Sequence, residues 1–306
     1  MRSPHISVII CTRNPRDEYL GRVLESLGGQ SLHPSHWELV IVDNHSEPPV
    51  EERNHRIPLN GRLVVEPESG LTLSRLRGIR ESSGDLVVFV DDDNVLAPDY
   101  LSGAMEIESE FPQIGVFGGR LLPEFEVIPE AWMKPFWRNL ALVDFERDRW
   151  TNLNVFSVFP PGAGLCVRRS IAEQYLKDFQ TDPLKRELGR KGSSLASGED
   201  TELTLQAIDA GWGVGQFTRL SLTHIIPKDR MTIVYHKRLA EGIGRSAGQL
   251  KGARSSERPS VLRHRIRGWL AVICAKGPSR EIIRASSKGW LKGLSEGWMI
   301  RETARK

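Results

Sequence analysis

"GDLVVFVDDDN" (Gly84–Asn94) sets five apolar residues, Leu86 to Val90, directly before three adjacent aspartates, Asp91, Asp92 and Asp93. The apolar, β-branched run predicts a buried strand. Three neighbouring carboxylates repel one another, so a strand that ends on them needs a cation, a proton or a basic group nearby. In a chain that stays extended, alternate side chains share a face. Asp91 and Asp93 are then predicted to converge, with Asp92 pointing away. Hard oxygen ligands suit Mg²⁺ or Mn²⁺, which bridge to substrate phosphates. An EF-hand is not expected. Counted from Asp91, its sixth position is Leu96 and its twelfth is Ser102, where that loop needs Gly and Glu. No GxxxxGKS/T phosphate loop occurs. The residues alone leave two readings open: a metal–phosphate site, or a solvated acidic turn capping the helix predicted from Pro98.

Around this stretch the first 120 residues alternate strand-like and helix-like segments. HISVIIC (His5–Cys11), WELVIVD (Trp37–Asp43) and GRLVVE (Gly61–Glu66) predict strands. DEYLGRVLESL (Asp17–Leu27) carries Leu20, Val23, Leu24 and Leu27 at helical spacing, and LTLSRLRGIRES (Leu71–Ser82) also reads as a helix. PDYLSGAMEIESEF (Pro98–Phe111) predicts a helix with proline in its first turn. The order β-α-β-β-α-β-α predicts an α/β fold with a mainly parallel sheet. Ligands in such sheets bind beyond the carboxyl ends of the strands, where the aspartates stand. From Leu121 to Pro161 periodicity is weak and aromatics are dense, as in a secondary core or a stacking surface. GEDTELTLQAIDAGW (Gly198–Trp212) predicts a helix whose first turn holds Glu199 and Asp200. Acids there favour the helix dipole, and one of them can equally serve as a general base. VGQFTRLSLTHII (Val214–Ile226) predicts a bent strand.

Composition bounds the class. The chain has 306 residues, 39% of them hydrophobic and 26% charged, enough for one large core with an appendage. No apolar run reaches the ~18 residues of a membrane span, and the first residues enter a strand at once, so neither a span nor a signal peptide is predicted. Cys11, Cys166 and Cys274 are read as buried thiols in a reducing, cytoplasmic setting. From Ile226 onward there are 19 Lys and Arg against 6 Asp and Glu, a net +13; the residues before it hold 23 basic and 33 acidic residues, a net −10. A basic tail on an acidic body suits nucleic acid, anionic lipid or a phosphorylated acceptor. No nucleic-acid reader motif is present, so nucleic acid is not the expected partner.

Taken in order, SVIICTRNP, LVIVDNHS, GLTLSRLRGI, GDLVVFVDDDN, GAGLCVRRS and GEDTEL resemble the family 2 glycosyltransferases, over roughly residues 5 to 226. LGRKGSSLASGED and the segment from LTHIIPKDR to EGIGRS resemble a bacterial polysaccharide-biosynthesis branch. The resemblance implies a GT-A fold, a Rossmann-like nucleotide-diphospho-sugar transferase domain over 1–226, with a basic, mostly helical extension over 227–306. It implies inverting transfer of a sugar from a nucleotide donor, chiefly a UDP-sugar, to a hydroxyl of a glycan or lipid-linked acceptor. It also implies a divalent cation, Mn²⁺ or Mg²⁺.

Site residues follow from the same resemblance. Thr12, Asn14, Asp43, Glu66, Arg75, Asp91 and Asp92 belong to the nucleotide-sugar pocket. Asp93, Asp91 and His224 are the candidate metal ligands, and Asp200, with Glu199 beside it, is the base. Ser74-Arg75-Leu76 lacks the asparagine usual in the corresponding element. Gly162 and Gly164 let backbone approach the donor sugar. A non-catalytic glycan-binding or assembly subunit on the same fold is the alternative. A sugar-nucleotide pyrophosphorylase would want a glycine-rich loop where CTRNPRD stands. In the tail, Trp290, Leu291, Leu294 and Trp298 lie close to one helical face. This predicts either peripheral membrane contact or packing against the protein itself.

Overall fold

The computed structural model describes residues 4–304 apart from Lys191 and Ser193. Those two positions of LGRKGSSLASGED, and the outermost residues of both predicted domains (1–3 and 305–306), lie outside the described residues. The chain divides into two units, one of Met1–Glu124, Ala141–Lys177 and Leu203–Ile225, the other of Phe125–Leu140, Asp178–Glu202 and Ile226–Lys306.

In chain order the regular elements are β1 (Ile6–Thr12), α1 (Asp17–Gly28), β2 (Trp37–Asp43), β3 (Gly61–Val65), α2 (Leu71–Glu81), β4 (Leu86–Asp91), β5 (Asn94–Leu96) and α3 (Tyr100–Glu110). Then come β6 (Ile114–Phe125), β7 (Arg149–Thr151), β8 (Leu165–Arg168), α4 (Arg169–Asp178), α5 (Pro183–Glu187), α6 (Glu199–Asp209) and β9 (Gly213–Ile226). Three long helices close the chain: α7 (Ile233–Ala253), α8 (Val261–Cys274) and α9 (Gly277–Ala304).

The first unit is built on one sheet of order β3-β2-β1-β4-β8-β6-β9-β5, with β7 added on β9. β1 runs parallel to β2 and β4, and β2 parallel to β3. This half is the predicted parallel sheet. Beyond it β8 lies antiparallel to β4 and β6, and β9 antiparallel to β5 and β7. Parallel neighbours need a long crossover connection; α1 supplies it between β1 and β2, residues 44–60 supply it without an α-helix between β2 and β3, and α2 lies on the return from β3 to β4. Ile6, Val8 and Ile10 of β1, with Leu39 and Ile41 of β2, are buried in one cluster with Leu20, Val23, Leu24 and Leu27 of α1. The helical spacing read in the sequence is thus the core face. α3 starts two residues later than predicted. Pro98 lies in the turn before it, where its carbonyl accepts from the Ser31 N–H at 2.7 Å.

The second unit is helical, and its centre is glycine. α7 and α9 run side by side in the same direction. A Cβ on Gly244, Gly248 or Gly252 would strike the backbone of Ser286, Trp290 or Leu294 respectively. A Cβ on Gly289, Gly293 or Gly297 would strike the carbonyl oxygens of Glu241, Arg245 or Gln249. Two four-residue glycine ladders therefore let the helix backbones touch. Helix-interior glycine costs about 1 kcal/mol relative to alanine, and backbone packing offsets it. Arg245 and Glu296 tie the pair at 2.7 Å, Lys237 and Glu281 also at 2.7 Å.

Leu294 is buried and the Trp290 indole nitrogen is out of contact with solvent, so of the two readings of this α9 face the structure takes packing against the protein itself. The large apolar residues left exposed in this region are mostly those of α8. One expectation changes here: of the cysteines only Cys166 is buried, while Cys11 is half-buried and Cys274 exposed. Among the described residues no helix is long and apolar enough to cross a membrane.

Candidate functional site

The acidic run does not stay extended. β4 ends at Asp91, the chain turns through Asp92 and Asp93, and β5 begins at Asn94. The turn sends the three carboxylates to different partners, which answers their mutual repulsion. Asp91 Oδ1 lies 3.8 Å from the Arg75 guanidinium. Asp92 accepts a hydrogen bond from the Thr12 hydroxyl. Asp93 Oδ1 accepts from the Asn94 amide at 3.1 Å and lies 3.4 Å from His224 Nε2. The predicted alternation is therefore corrected. Asp92 does not point away from the other strand ends but bridges to β1, because residues in a turn do not alternate as they do in a strand. Asn94 fixes this shape: its side-chain oxygen accepts from the Asp91 N–H at 3.2 Å while its amide holds Asp93. β9 brings His224 opposite Asn94 in register, and the Ile225 N–H donates to the Asp93 carbonyl at 2.9 Å.

The loops after β1, β2 and β3 are knotted together by side chains. Asp43 uses both oxygens on its own loop, accepting from the N–H groups of Ser46 (3.0 Å) and Val50 (2.9 Å). Asn14, in left-handed conformation at φ 52°, accepts from Glu47 N–H at 2.7 Å, and its own N–H donates to Ser46 Oγ at 2.8 Å. Glu66 Oε1 accepts from the Glu68 N–H at 2.9 Å. Asn44, not anticipated from the sequence, donates to the carbonyls of Glu66 and Glu68 and accepts from Gly70 N–H, at 2.8 to 2.9 Å. Its signal was available: a small polar residue directly after an apolar strand, in a buried loop that must satisfy its backbone groups.

Arg75 is buried on α2. It lies 5.1 Å from the Phe89 ring centroid and donates to the Gly162 carbonyl at 3.4 Å. Gly164 stands at φ +67°, and a Cβ there would come 2.5 Å from the Tyr100 hydroxyl and 2.6 Å from Leu222. The Tyr100 hydroxyl donates to the Gly164 carbonyl at 2.5 Å, and burial pushes its pKa well above the usual phenol value. The 162–164 backbone is thereby held against Arg75 and Tyr100. Arg168 and Arg169 bond backbone carbonyls, Arg168 that of Ile114 and Arg169 those of Gly84 and Ile79, as structural residues do.

Thr12, Asn14, Asp43, Glu66, Arg75, Asp91, Asp92, Asp93 and His224 thus all belong to the first unit. Glu199 and Asp200 belong to the second, at the start of α6. Asp200 accepts from the Thr201 N–H at 2.7 Å, and Glu199 is buried. Glu202, one turn along, is buried against Arg254 at 3.1 Å. Burial raises the Glu202 pKa, and Arg254 opposes that rise.

A divalent cation fits one place here. Asp93 Oδ1 and His224 Nε2 face each other, and His224 Nδ1 is buried with no hydrogen-bond partner among the described residues. Among the described residues no three His, Cys, Asp or Glu side chains form a complete shell. Mg²⁺ and Mn²⁺ sites often keep water and phosphate oxygens in place of protein ligands, so one carboxylate and one imidazole are compatible with that chemistry.

Residues 7–176 match the sequence profile of Glycosyl transferase family 2, and the chain belongs to that family. It is 25% identical to the succinoglycan biosynthesis protein ExoM of Rhizobium meliloti, over 80% of this chain and 75% of that protein. Other curated relatives are matched over only 38%, 43% and 29% of their own lengths. Two solved structures share the fold. TarS residues 1–349 of S. aureus, in complex with UDP-GlcNAc, align at TM-score 0.54 and 15% identity, covering 98% of this chain and 91% of that one. The mannosyltransferase PcManGT of Pyrobaculum calidifontis, in complex with GDP-Man and Mn²⁺, aligns at TM-score 0.59 and 16% identity, covering 97% and 88%. The fold is therefore GT-A, with a helical C-terminal region.

Proposed function

We propose that this protein is an inverting, metal-dependent glycosyltransferase that moves a sugar from a nucleotide-diphosphate donor, a UDP-sugar by the resemblance, to a hydroxyl of a glycan or lipid-linked acceptor in polysaccharide biosynthesis. Residues 1–226 form the catalytic domain in this reading, and 227–306 a basic extension. The observation that carries it is the splitting of the acidic run, which leaves Asp93 beside His224 and Asp91 beside Arg75 at the carboxyl ends of the strands. A relative named for succinoglycan biosynthesis and two fold neighbours solved with nucleotide sugars, one with Mn²⁺, support it.

Asp93 and His224 would hold the cation. Bound there, it supplies Lewis-acid opposition to the charge that grows on the diphosphate leaving group. Arg75 orients Asp91, while Asn94 and Thr12 hold the turn in shape. The loops braced by Asn14, Asp43, Asn44 and Glu66 form the nucleotide pocket. The acceptor hydroxyl attacks the anomeric carbon from the face opposite the diphosphate, the sugar–phosphate bond breaks, and a carboxylate takes the hydroxyl proton, the role that the resemblance gives to Asp200.

The test is release of nucleoside diphosphate from a panel of UDP- and GDP-sugars with Mn²⁺ and a mixed glycan acceptor. Turnover with one donor, lost by at least about 10²-fold in Asp93→Ala and Asp200→Asn and on chelation, is the expected result. Donor binding without turnover at any acceptor would point instead to a glycan-binding subunit that kept the fold.

A further inference from the structure

α8 presents an apolar face that nothing in its unit covers. Leu262, Ile266, Trp269, Leu270 and Ile273 recur at helical spacing and are 50–68% exposed, and no residue of α8 is buried. The opposite side of the helix packs. The His264 ring lies 5.8 Å from that of Trp290, and Gly268 sits against Ser287. At ~100° per residue, Arg263 and Arg265 fall about 80° to either side of the apolar stripe, and Arg267 lies behind Arg263. Between Arg258 and Arg280 the chain has six basic residues and no acidic one.

We infer that α8 is a membrane-surface element: it lies along an anionic phospholipid leaflet, with Trp269 and its aliphatic neighbours among the acyl boundary and Arg263 and Arg265 at the headgroups. An exposed apolar stripe flanked by arginines is the pattern of an interfacial helix. The arginine stems extend the apolar face while their heads stay at the phosphates. Charge selects this occupant over a second copy of the chain, because two such faces packed together would set arginine against arginine. Leaving five large apolar side chains in water on a 14-residue helix is otherwise unfavourable. The inference concerns the second unit alone and does not depend on the catalytic reading. Within the basic tail it assigns the membrane-facing surface to α8, since the tryptophan face of α9 is used in packing.

Flotation of the full chain with phosphatidylglycerol/phosphatidylcholine vesicles, against pure phosphatidylcholine, tests it. The wild type should float with the anionic vesicles, and high salt should weaken binding as the charges are screened. Leu270→Glu, and Arg263→Glu with Arg265→Glu, should each lower the apparent affinity by roughly 30-fold or more, with far-UV circular dichroism unchanged. Trp269→Phe should abolish the vesicle-induced blue shift of fluorescence while largely keeping flotation. Equal flotation of wild type and Leu270→Glu would overturn the inference. So would equal binding to neutral and anionic vesicles. So would absence of vesicle binding together with a dimer, seen by light scattering, that Leu270→Glu dissolves.

Discussion

The two units fill their interiors by opposite means. In the sheet unit, Ile6, Val8, Ile10, Leu39 and Ile41 are wholly buried, and bulk side chains fill the space between sheet and helix. In the helical unit the decisive positions carry no side chain. Gly244, Gly248 and Gly252 of α7 and Gly289, Gly293 and Gly297 of α9 bring two backbones into contact. The lesson is that a change of side-chain size has opposite consequences in the two places. A residue made smaller empties the first core, and a residue made larger forces the second apart.

The largest effect is expected from Ile41→Ala on β2. The side chain is fully buried, and its loss should cost about 3 kcal/mol, read from the midpoint of urea unfolding. Gly293→Ala should follow at roughly 2 kcal/mol, because the added methyl meets the Arg245 carbonyl. If Gly293→Ala instead stabilised the protein, the ladder would not be the packing element described.

The third prediction concerns pH. His236 on α7 is fully buried beside Trp132, whose ring centroid is 5.2 Å away, and neither of its ring nitrogens has a hydrogen-bond partner among the described residues. Burial lowers its pKa below the ordinary histidine value. The unfolded chain therefore takes up a proton more readily than the folded one. The stability contributed by the neutral ring is full above the unfolded pKa of about 6.5 and is lost as pH falls through the folded one. His236→Phe should flatten this slope, which cannot exceed about 1.4 kcal/mol per pH unit. An unchanged slope would mean that protonation reaches His236 without unfolding the helix pair.

The smallest effect sharpens the comparison most. A methyl added at Gly21, on α1 of the sheet unit, would meet nothing within 4 Å. Gly21→Ala should stabilise by about 0.5–1 kcal/mol through helix propensity alone, again read from urea unfolding. A gain at Gly21 and a loss at Gly293 would separate glycine as a mere helix residue from glycine as a packing surface.

This division also explains what could be read from the sequence. β1, β2, β4 and α1 are legible because large apolar residues recur at the periods of strand and helix. The ladders of α7 and α9 are equally periodic, but glycine at every fourth position resembles helix weakness rather than a core. The spacing of Trp290 and Trp298 therefore leaves membrane contact and internal packing equally open. At the site, residue types are legible and geometry is not. Asp91, Asp93 and His224 are picked out by position as candidates. The turn through Asp92 and Asp93 depends on the side-chain bonds of Asn94, whose partners precede it by one and three residues, and no periodicity encodes them. Asn44 escapes notice for a related reason, since its bonds reach residues more than 20 positions away.

One consequence of the parallel ladders is topological. Two helices that run in the same direction cannot be joined by a tight turn. The chain leaving the end of the 21-residue α7 must travel back some 30 Å before α9 can begin. α8 makes that return journey. Folding requires of it only length and a thin inner seam, so its outer face is free of structural duty and open to selection for something else. A connector imposed by chain direction thereby becomes the part of the fold most able to acquire a new partner without disturbing the rest.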